Sequence, residues 1–301
     1  MPSASPLPLR HVLIALAVVS IWGSNFVVIK YALHVMPPML LAVMRFAAAF
    51  VPACFFLPRP AVDWRNLAAY GIFVAVGQFG LLYLAMGHEI SPGLASLVIQ
   101  TQVFFTLLLA VRIAGERVQA AQWLGLALAA AGIGVIVTHT DGTTTPLGLA
   151  MVLAAAFSWA CGNIVGKRAG QVNMLAYIVW SSAFAVPPLL VLAWFIDGPE
   201  RITTALAAAD AGTWAAVLWQ TVGNTLFGYG CWVWLLARHP AGSIVPMALL
   251  VPVFGMGASS LLLGETLPGW KLAAAALVMA GLAINLFGPR LLQLRARRSQ
   301  D

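Results

Sequence analysis

The residues best able to do chemistry in this sequence are neutral amides. Asn25, Gln78, Gln100, Gln102, Asn163 and Asn224 sit inside long apolar runs, with Thr101, Ser181 and Ser182 at similar depth. An amide carries donors and an acceptor together, so such a set can meet a carboxylate and an ammonium on one ligand without any charge of its own. Asn25 follows Trp22 by three residues and Asn163 follows Trp159 by four, so each amide shares a helix face with an indole. An aromatic wall beside an orienting hydrogen bond is how small-molecule pockets are usually built. Tyr83, Trp180 and Tyr229 are further candidates for that wall, with interface anchoring or packing as the alternative. For each amide taken alone, interhelical hydrogen bonding is the competing use. Gln100 and Gln102 point roughly 200° apart at about 100° per residue, which lets only one face a cavity; Gln100 is carried as the candidate.

Covalent and metal chemistry have no comparable set. The nine acidic residues, Asp63, Glu89, Glu116, Asp141, Asp197, Glu200, Asp210, Glu265 and Asp301, all fall in loops, at helix ends or in the tail. His11, His34, His88, His139 and His239 lie near run ends, no HExxH occurs, and Ser259 and Ser260 have no visible base. The sequence therefore predicts no catalytic residue, no metal and no cofactor, and disfavours an intramembrane enzyme. Cys54, Cys161 and Cys231 are odd in number, lack metal spacing and read as buried small residues. Arg45 is the deepest base, ~12 Å along its run at ~1.5 Å per residue. It either snorkels to the interface or faces the interior and attracts a carboxylate. A cavity without acidic residues has no evident proton carrier or sodium ligand, which fits a facilitated or weakly coupled carrier.

The elements that must position these residues are membrane helices. Of 301 residues 61% are hydrophobic and 8% charged, against about 25% charged in an ordinary soluble domain. A bilayer core takes about 20 apolar residues per helix, and the chain divides into ten such runs: 11–33, 37–57, 67–87, 92–112, 119–138, 147–167, 174–196, 212–237, 241–263 and 269–288. The first continues past signal-peptide length without a convincing cleavage site, so it reads as a retained helix. The net charge of +7 does not point to nucleic acid, because of where the charges fall. Arg10, Arg59, Arg65, Arg112, Arg117, Lys167, Arg168, Arg238, Arg290, Arg295, Arg297 and Arg298 share one side if both termini do. Lys30, Arg45, Arg201 and Lys271 lie on or towards the other. This positive-inside bias predicts cytoplasmic termini and an even number of spans. The basic tail from Arg290 to Arg298 fixes topology, with contact to anionic lipid as the alternative.

The chain also repeats itself. "WGSNFVVIK" from Trp22 is echoed by "WACGNIVGK" from Trp159, and "GLASLVIQTQVFFTLLLAVRIAGERVQ" from Gly93 by "GSIVPMALLVPVFGMGASSLLLGETLP" from Gly242. The spacing grows between these pairs, which places an insertion in the loop from Asp197 to Gly212. Two halves follow, residues 1–140 and residues 141–301 with the basic tail. Each holds five helices, an odd number, so the second must enter the membrane from the opposite face. The expected fold is an all-α membrane protein of ten transmembrane helices arranged as two inverted five-helix repeats, a plan recurrent in secondary transporters that bind substrate between the halves. Gly162 and Gly166 form a GxxxG that reads as close packing, and the "GNIVGKR" around it lacks phosphate-loop spacing. Pro252, taken as mid-span in the ninth helix, marks either a gating kink or a static one.

"WGSNFVVIKYAL", "GLASLVIQTQVFFTLLLA", "AAAFSWACGNIVGKR" and "LLVPVFGMGASSLLLGE" resemble the drug/metabolite transporter superfamily, EamA type, over nearly the whole chain. The resemblance implies the DMT fold with ten helices and cytoplasmic termini in the bacterial inner membrane. It also implies efflux of amino acids or related metabolites, such as cysteine, O-acetylserine and aromatic amino acids. The candidate substrate-binding set is Trp22, Asn25, Gln78, Tyr83, Gln100, Trp159, Asn163 and Trp180. A larger neutral metabolite or drug is the alternative cargo, and a channel the alternative mechanism. The expected partners are the small-molecule substrate and membrane lipids, with monomer and homodimer both open.

Overall fold

A computed structural model describes residues 7–114, 119–140 and 143–298. Among them, nine helices are long and apolar enough to cross a membrane. These are α1 (Leu9–Ala32), α2 (Pro38–Phe55), α3 (Trp64–His88), α4 (Pro92–Ile113), α5 (Ala120–Val137), α6 (Pro146–Arg168), α7 (Met174–Asp197), α9 (Val245–Leu263) and α10 (Gly269–Gly288). Between α7 and α9, a further path, α8, runs unbroken through Ala211–Leu218, Trp219–Phe227 and Gly228–Leu236. It is long enough to span, but buried Gln220, Thr221, Asn224 and Thr225 dilute its apolar character. The segment where the repeat spacing predicts an insertion holds a short helix, Pro199–Ala208, without a counterpart between α2 and α3. The repeat match at Glu116 lies outside the described residues.

Local chemistry sets the helix ends. Asp63 accepts from Arg65 N at 2.9 Å to open α3, Thr145 accepts from Gly148 N at 3.0 Å beside Pro146 to open α6, and Asn173 accepts from Leu175 N to open α7. Outward-facing Leu190, Val191, Phe195, Leu261 and Leu262 are exposed, an apolar girdle of the kind that needs lipid around it. Inside, glycines let helices close up. A Cβ on Gly125 would stand 2.6 Å from the Gly281 carbonyl oxygen, and one on Gly281 2.5 Å from that of Gly125, which welds α5 to α10. Gly162 and Gly166 seat α6 on Val74 and Tyr70 of α3, so the GxxxG packs helices as its spacing predicts.

The largest packing pairs follow one rule. Exchanging each helix with the one five places on carries the α1–α9 contact onto α6–α4 and the α1–α8 contact onto α6–α3. The α2–α7, α4–α9 and α5–α10 contacts map onto themselves.

Two pairs of helical irregularities follow the same rule. α3 is wound as a π-helix over Ile72–Gly80 and α8 over Trp219–Phe227, and each contains one member of the pair "VGQ" and "VGN". Hydroxyls serve the displaced carbonyls: Ser158 Oγ donates to Phe73 O at 2.7 Å and Thr225 Oγ1 to Gln220 O at 2.9 Å. α4 narrows to a 3₁₀ turn at Ile99–Thr101 and α9 at Val245–Leu249. That turn changes the reading of Pro252. It stands in the first turn of the α-helical segment Leu250–Leu263, where a missing N–H is tolerated. The irregularity in α9 is the 3₁₀ turn that ends at Leu249, three residues before Pro252.

Candidate functional site

The two halves enclose a cavity of about 370 Å³ bounded by α1, α3, α4, α6, α7, α8 and α9. α1 supplies Trp22, Asn25, Phe26 and Ile29, α3 supplies Gln78 and Phe79, and α6 supplies Trp159 and Asn163. Gln100 and Gln102 of α4 and Asn224, Tyr229 and Trp232 of α8 complete the wall. Among the described residues, no aspartate, glutamate, lysine, arginine or histidine lines it.

Two corners of the cavity join the halves. In the first, the Trp22 indole N–H donates to Asn224 O at 3.1 Å, and its ring stands 5.3 Å from Tyr229 and 5.1 Å from Trp232. In the second, Asn163 Nδ2 donates to Gln102 Oε1 at 2.8 Å and to Thr106 Oγ1 at 3.2 Å. Two acceptors remain: Asn25 Oδ1 and Gln78 Oε1 are buried and receive no hydrogen bond. An orphaned buried amide oxygen costs about 1–3 kcal/mol, a debt that a donor-bearing ligand relieves.

Six of the eight residues expected to hold substrate therefore meet at one cavity, namely Trp22, Asn25, Gln78, Gln100, Trp159 and Asn163. Tyr83 does not. It is fully buried behind the wall, where it accepts from Arg45 Nη1 at 2.8 Å and donates to Gln220 Oε1. Trp180 does not either, since its indole donates to Leu57 O at 3.0 Å and its ring packs against Phe50 and Trp64 near a helix end. Gln100 and Gln102, expected to diverge, both reach the cavity. The 3₁₀ turn at Ile99–Thr101 advances the chain about 120° per residue, which swings the two side chains closer together than an α-helix would. Arg45 turns inward rather than snorkelling and is 1% exposed.

The two ends of the cavity differ. It reaches the end where α7 and α9 begin and α8 finishes, marked by Met174, Val245 and Leu236. The opposite end is tied shut by polar contacts. Lys30 Nζ donates to Met86 O at 3.0 Å and Gly87 O at 2.8 Å, and Leu40 N donates to Asp197 at 2.8 Å. Glu265 accepts from Gly93 N at 3.0 Å, from Lys271 Nζ at 2.9 Å and from the hydroxyls of Ser91 and Ser259. Burial would raise the Glu265 carboxyl, but hydrogen bonds from Ser259, Ser91, Lys271 and Gly93 hold it below the usual 4.5. At this end a second hollow of about 1020 Å³ is lined by charged and titratable groups, among them Lys30, His34, His88, Asp197, Glu200 and Arg201.

A helical bundle with an apolar girdle and an uncharged central cavity suits passage of a small molecule through a membrane. Residues 9–138 and 146–287 both match the EamA-like transporter family. The chain belongs to that family. A probable amino-acid metabolite efflux pump of Salmonella typhimurium is 43% identical over 92% of this chain and 95% of its own. A protein of the same description from Escherichia coli is 40% identical over the same shares. An uncharacterized inner membrane transporter of Escherichia coli is 28% identical over 93% of this chain and 91% of its own. One solved crystal structure, 18% identical, superposes with a TM-score of 0.62 over 91% of this chain and 95% of that one, and shares the fold. This is a membrane-embedded transporter and not an enzyme.

The transporter's cavity also holds residues outside the expected set. Asn224 is the repeat partner of Gln78 in the "VGQ" and "VGN" pair, a signal present in the sequence. Phe79 and Trp232 carry no such mark, because an aromatic in a membrane helix faces lipid or cavity with equal ease.

Proposed function

We propose that this transporter exports amino acids or related small metabolites across a bacterial inner membrane, by alternating exposure of the central cavity between two inverted five-helix halves. The observation that carries the reading is the cavity itself, which is walled by indoles and amides, carries no charged side chain among the described residues, and is backed by two buried, orphaned acceptors of wall residues, Asn25 Oδ1 and Gln78 Oε1. A zwitterion's ammonium suits those acceptors. The names of the two relatives above 40% identity or at it favour the same cargo. Inversion is favoured by the odd number of helices per half and by packing pairs that survive the five-place exchange. In this arrangement Lys30 and Lys167 lie on opposite faces, both termini are cytoplasmic, and the cavity reaches the cytoplasmic end. The polar closure around Lys30, Asp197 and Glu265 then seals the outer end, with the charged hollow as the way out.

Counterflow in proteoliposomes tests this. Saturable, trans-stimulated uptake of at least one radiolabelled amino acid is expected. Flux that neither saturates nor responds to substrate on the far side would point to a channel, and transport of larger neutral compounds alone would shift the cargo.

A further inference from the structure

Behind the cavity wall lies a charge without a counter-charge. Arg45 on α2 is 1% exposed, and its guanidinium donates to two neutral groups, Tyr83 Oη at 2.8 Å and Thr225 Oγ1 at 3.2 Å. No carboxylate among the described residues pairs with it. Its Nε has no partner, and neither has Nε2 of Gln220, which accepts from Tyr83. A guanidinium offers five donors, so most of this one's capacity is unspent. Burying an ion in a membrane bundle is costly unless it is paired, and such residues default to function.

This cation packs on a ring of the cavity wall. The guanidinium carbon stands 3.9 Å from the centroid of Phe79, and Phe79 is itself a wall residue. Its neighbours there are Gln78, with its orphaned oxygen, and Asn224, which precedes the Arg45 partner Thr225. Phe79 and Thr225 both ride on π-helical stretches, a winding found mostly as local departures at functional sites. The face of an aromatic ring holds a cation only weakly compared with a carboxylate, which a guanidinium can grip with two parallel hydrogen bonds.

We propose that Arg45 is the carboxylate subsite of the cavity, with Phe79 as the shutter over it. The ring caps the cation in the empty transporter and swings aside when a substrate carboxylate enters. The site then selects molecules with an anionic carboxylate and a hydrogen-bond donor at the other end, and rejects amines that lack the acid. This rests on the amino-acid reading above and deepens it.

The test uses the purified full-length transporter in proteoliposomes. Counterflow is measured with each radiolabelled proteinogenic L-amino acid, and the best-transported one is then competed with its own primary amide and its decarboxylated amine. In the wild type, both competitors should act at least about tenfold more weakly than the parent acid, the scale of a lost charge-assisted hydrogen bond. In Arg45→Met the KM for the acid should rise by about tenfold or more, and the preference for acid over amide should collapse towards one. Arg45→Lys should restore part of that preference. A purely structural arginine would lower transport without touching the acid-to-amide ratio. If Arg45→Met fails to fold, the wild-type ratio and the lysine variant carry the test. Equal competition by acid and amide in the wild type, or an unchanged ratio in the variants, overturns the subsite and leaves amino-acid transport standing. Absence of saturable counterflow with every amino acid overturns the amino-acid reading, and the subsite with it.

Discussion

The amide of Asn163 on α6 donates to Gln102 Oε1 on α4 across 2.8 Å, beside the indole of Trp159 one turn earlier on the same cavity wall. α6 is thus bound to α4 by a bond whose other side faces the substrate space, so helix packing and substrate contact share one side chain.

Replacing Asn163 by Ala should lower kcat/KM for efflux about tenfold, because the change removes the 2.8 Å donor to Gln102 Oε1 at the half-buried cavity wall. Trp159→Ala should act in the same direction by opening the apolar wall. Both variants should reach the membrane folded, since each change only removes atoms from the cavity wall and adds none. Initial efflux rates, normalised to folded protein by size-exclusion chromatography, check this; kinetics like the wild type in both variants would remove the α6 corner from the site.

How far the sequence exposes all this depends on where a signal is local. The Trp22–Asn25 and Trp159–Asn163 pairs are legible because two residues one turn apart share a face in any helix. Gln102 is misjudged because the chain narrows to a 3₁₀ turn at Ile99–Thr101, where it packs beside α6, and α-helical angles do not hold there. Tyr83 fails for a related reason: its partner is Arg45, and which way a basic residue turns in a membrane helix depends on neighbours from other helices. Trp180 has the composition of a binding residue and the position of an interface anchor, which spacing alone cannot separate. The helices themselves are plain from apolar run length. α8 is the least apolar of them because its Gln220 and Asn224 face inward.

Glu265 predicts a pH dependence of stability. Its carboxyl titrates below the usual 4.5 in the folded protein, so its stabilising contribution is complete above about 4.5. It is lost as the pH falls through the lowered folded value. Thermal unfolding in detergent should therefore show a melting temperature that declines on acidification below about pH 4.5, with a weaker decline in Glu265→Gln. At neutral pH that variant should be destabilised by about 3–5 kcal/mol, because Lys271, 4% exposed, is left as an uncompensated buried charge. Glu265→Gln combined with Lys271→Met should recover part of the loss. A melting temperature unchanged in the single variant at neutral pH would show that the ion pair does not hold this end together.

The α5–α10 contact should tolerate no added side chain. Gly281→Leu places a Cβ 2.5 Å from the Gly125 carbonyl oxygen, and overpacking of this kind costs about 1–3 kcal/mol or more. Gly134→Leu is the matched control, because nothing lies within 4 Å of its added Cβ. Loss of folded yield in the first and not the second is expected from fluorescence-detected size exclusion.

Pro252→Ala should leave transport within about twofold of the wild type, since Pro252 occupies a first helical turn where it removes little hydrogen bonding. A large loss of kcat with KM retained would restore a moving role to the proline.

Inversion of the halves makes a topological demand that is independent of cargo. The exposed residues His34, between α1 and α2, and Gln171, between α6 and α7, occupy equivalent links of the two halves. If the second half enters the membrane upside down, those links face opposite compartments. Single cysteines at these positions, in a background with Cys54, Cys161 and Cys231 replaced by Ala, should therefore divide. In intact cells, an impermeant maleimide should label His34→Cys and spare Gln171→Cys until the membrane is opened. Five helices separate the two links, so labelling of both from one side requires an even number of crossings between them, which would take one of those helices out of the membrane and end the two-fold exchange on which alternating exposure depends.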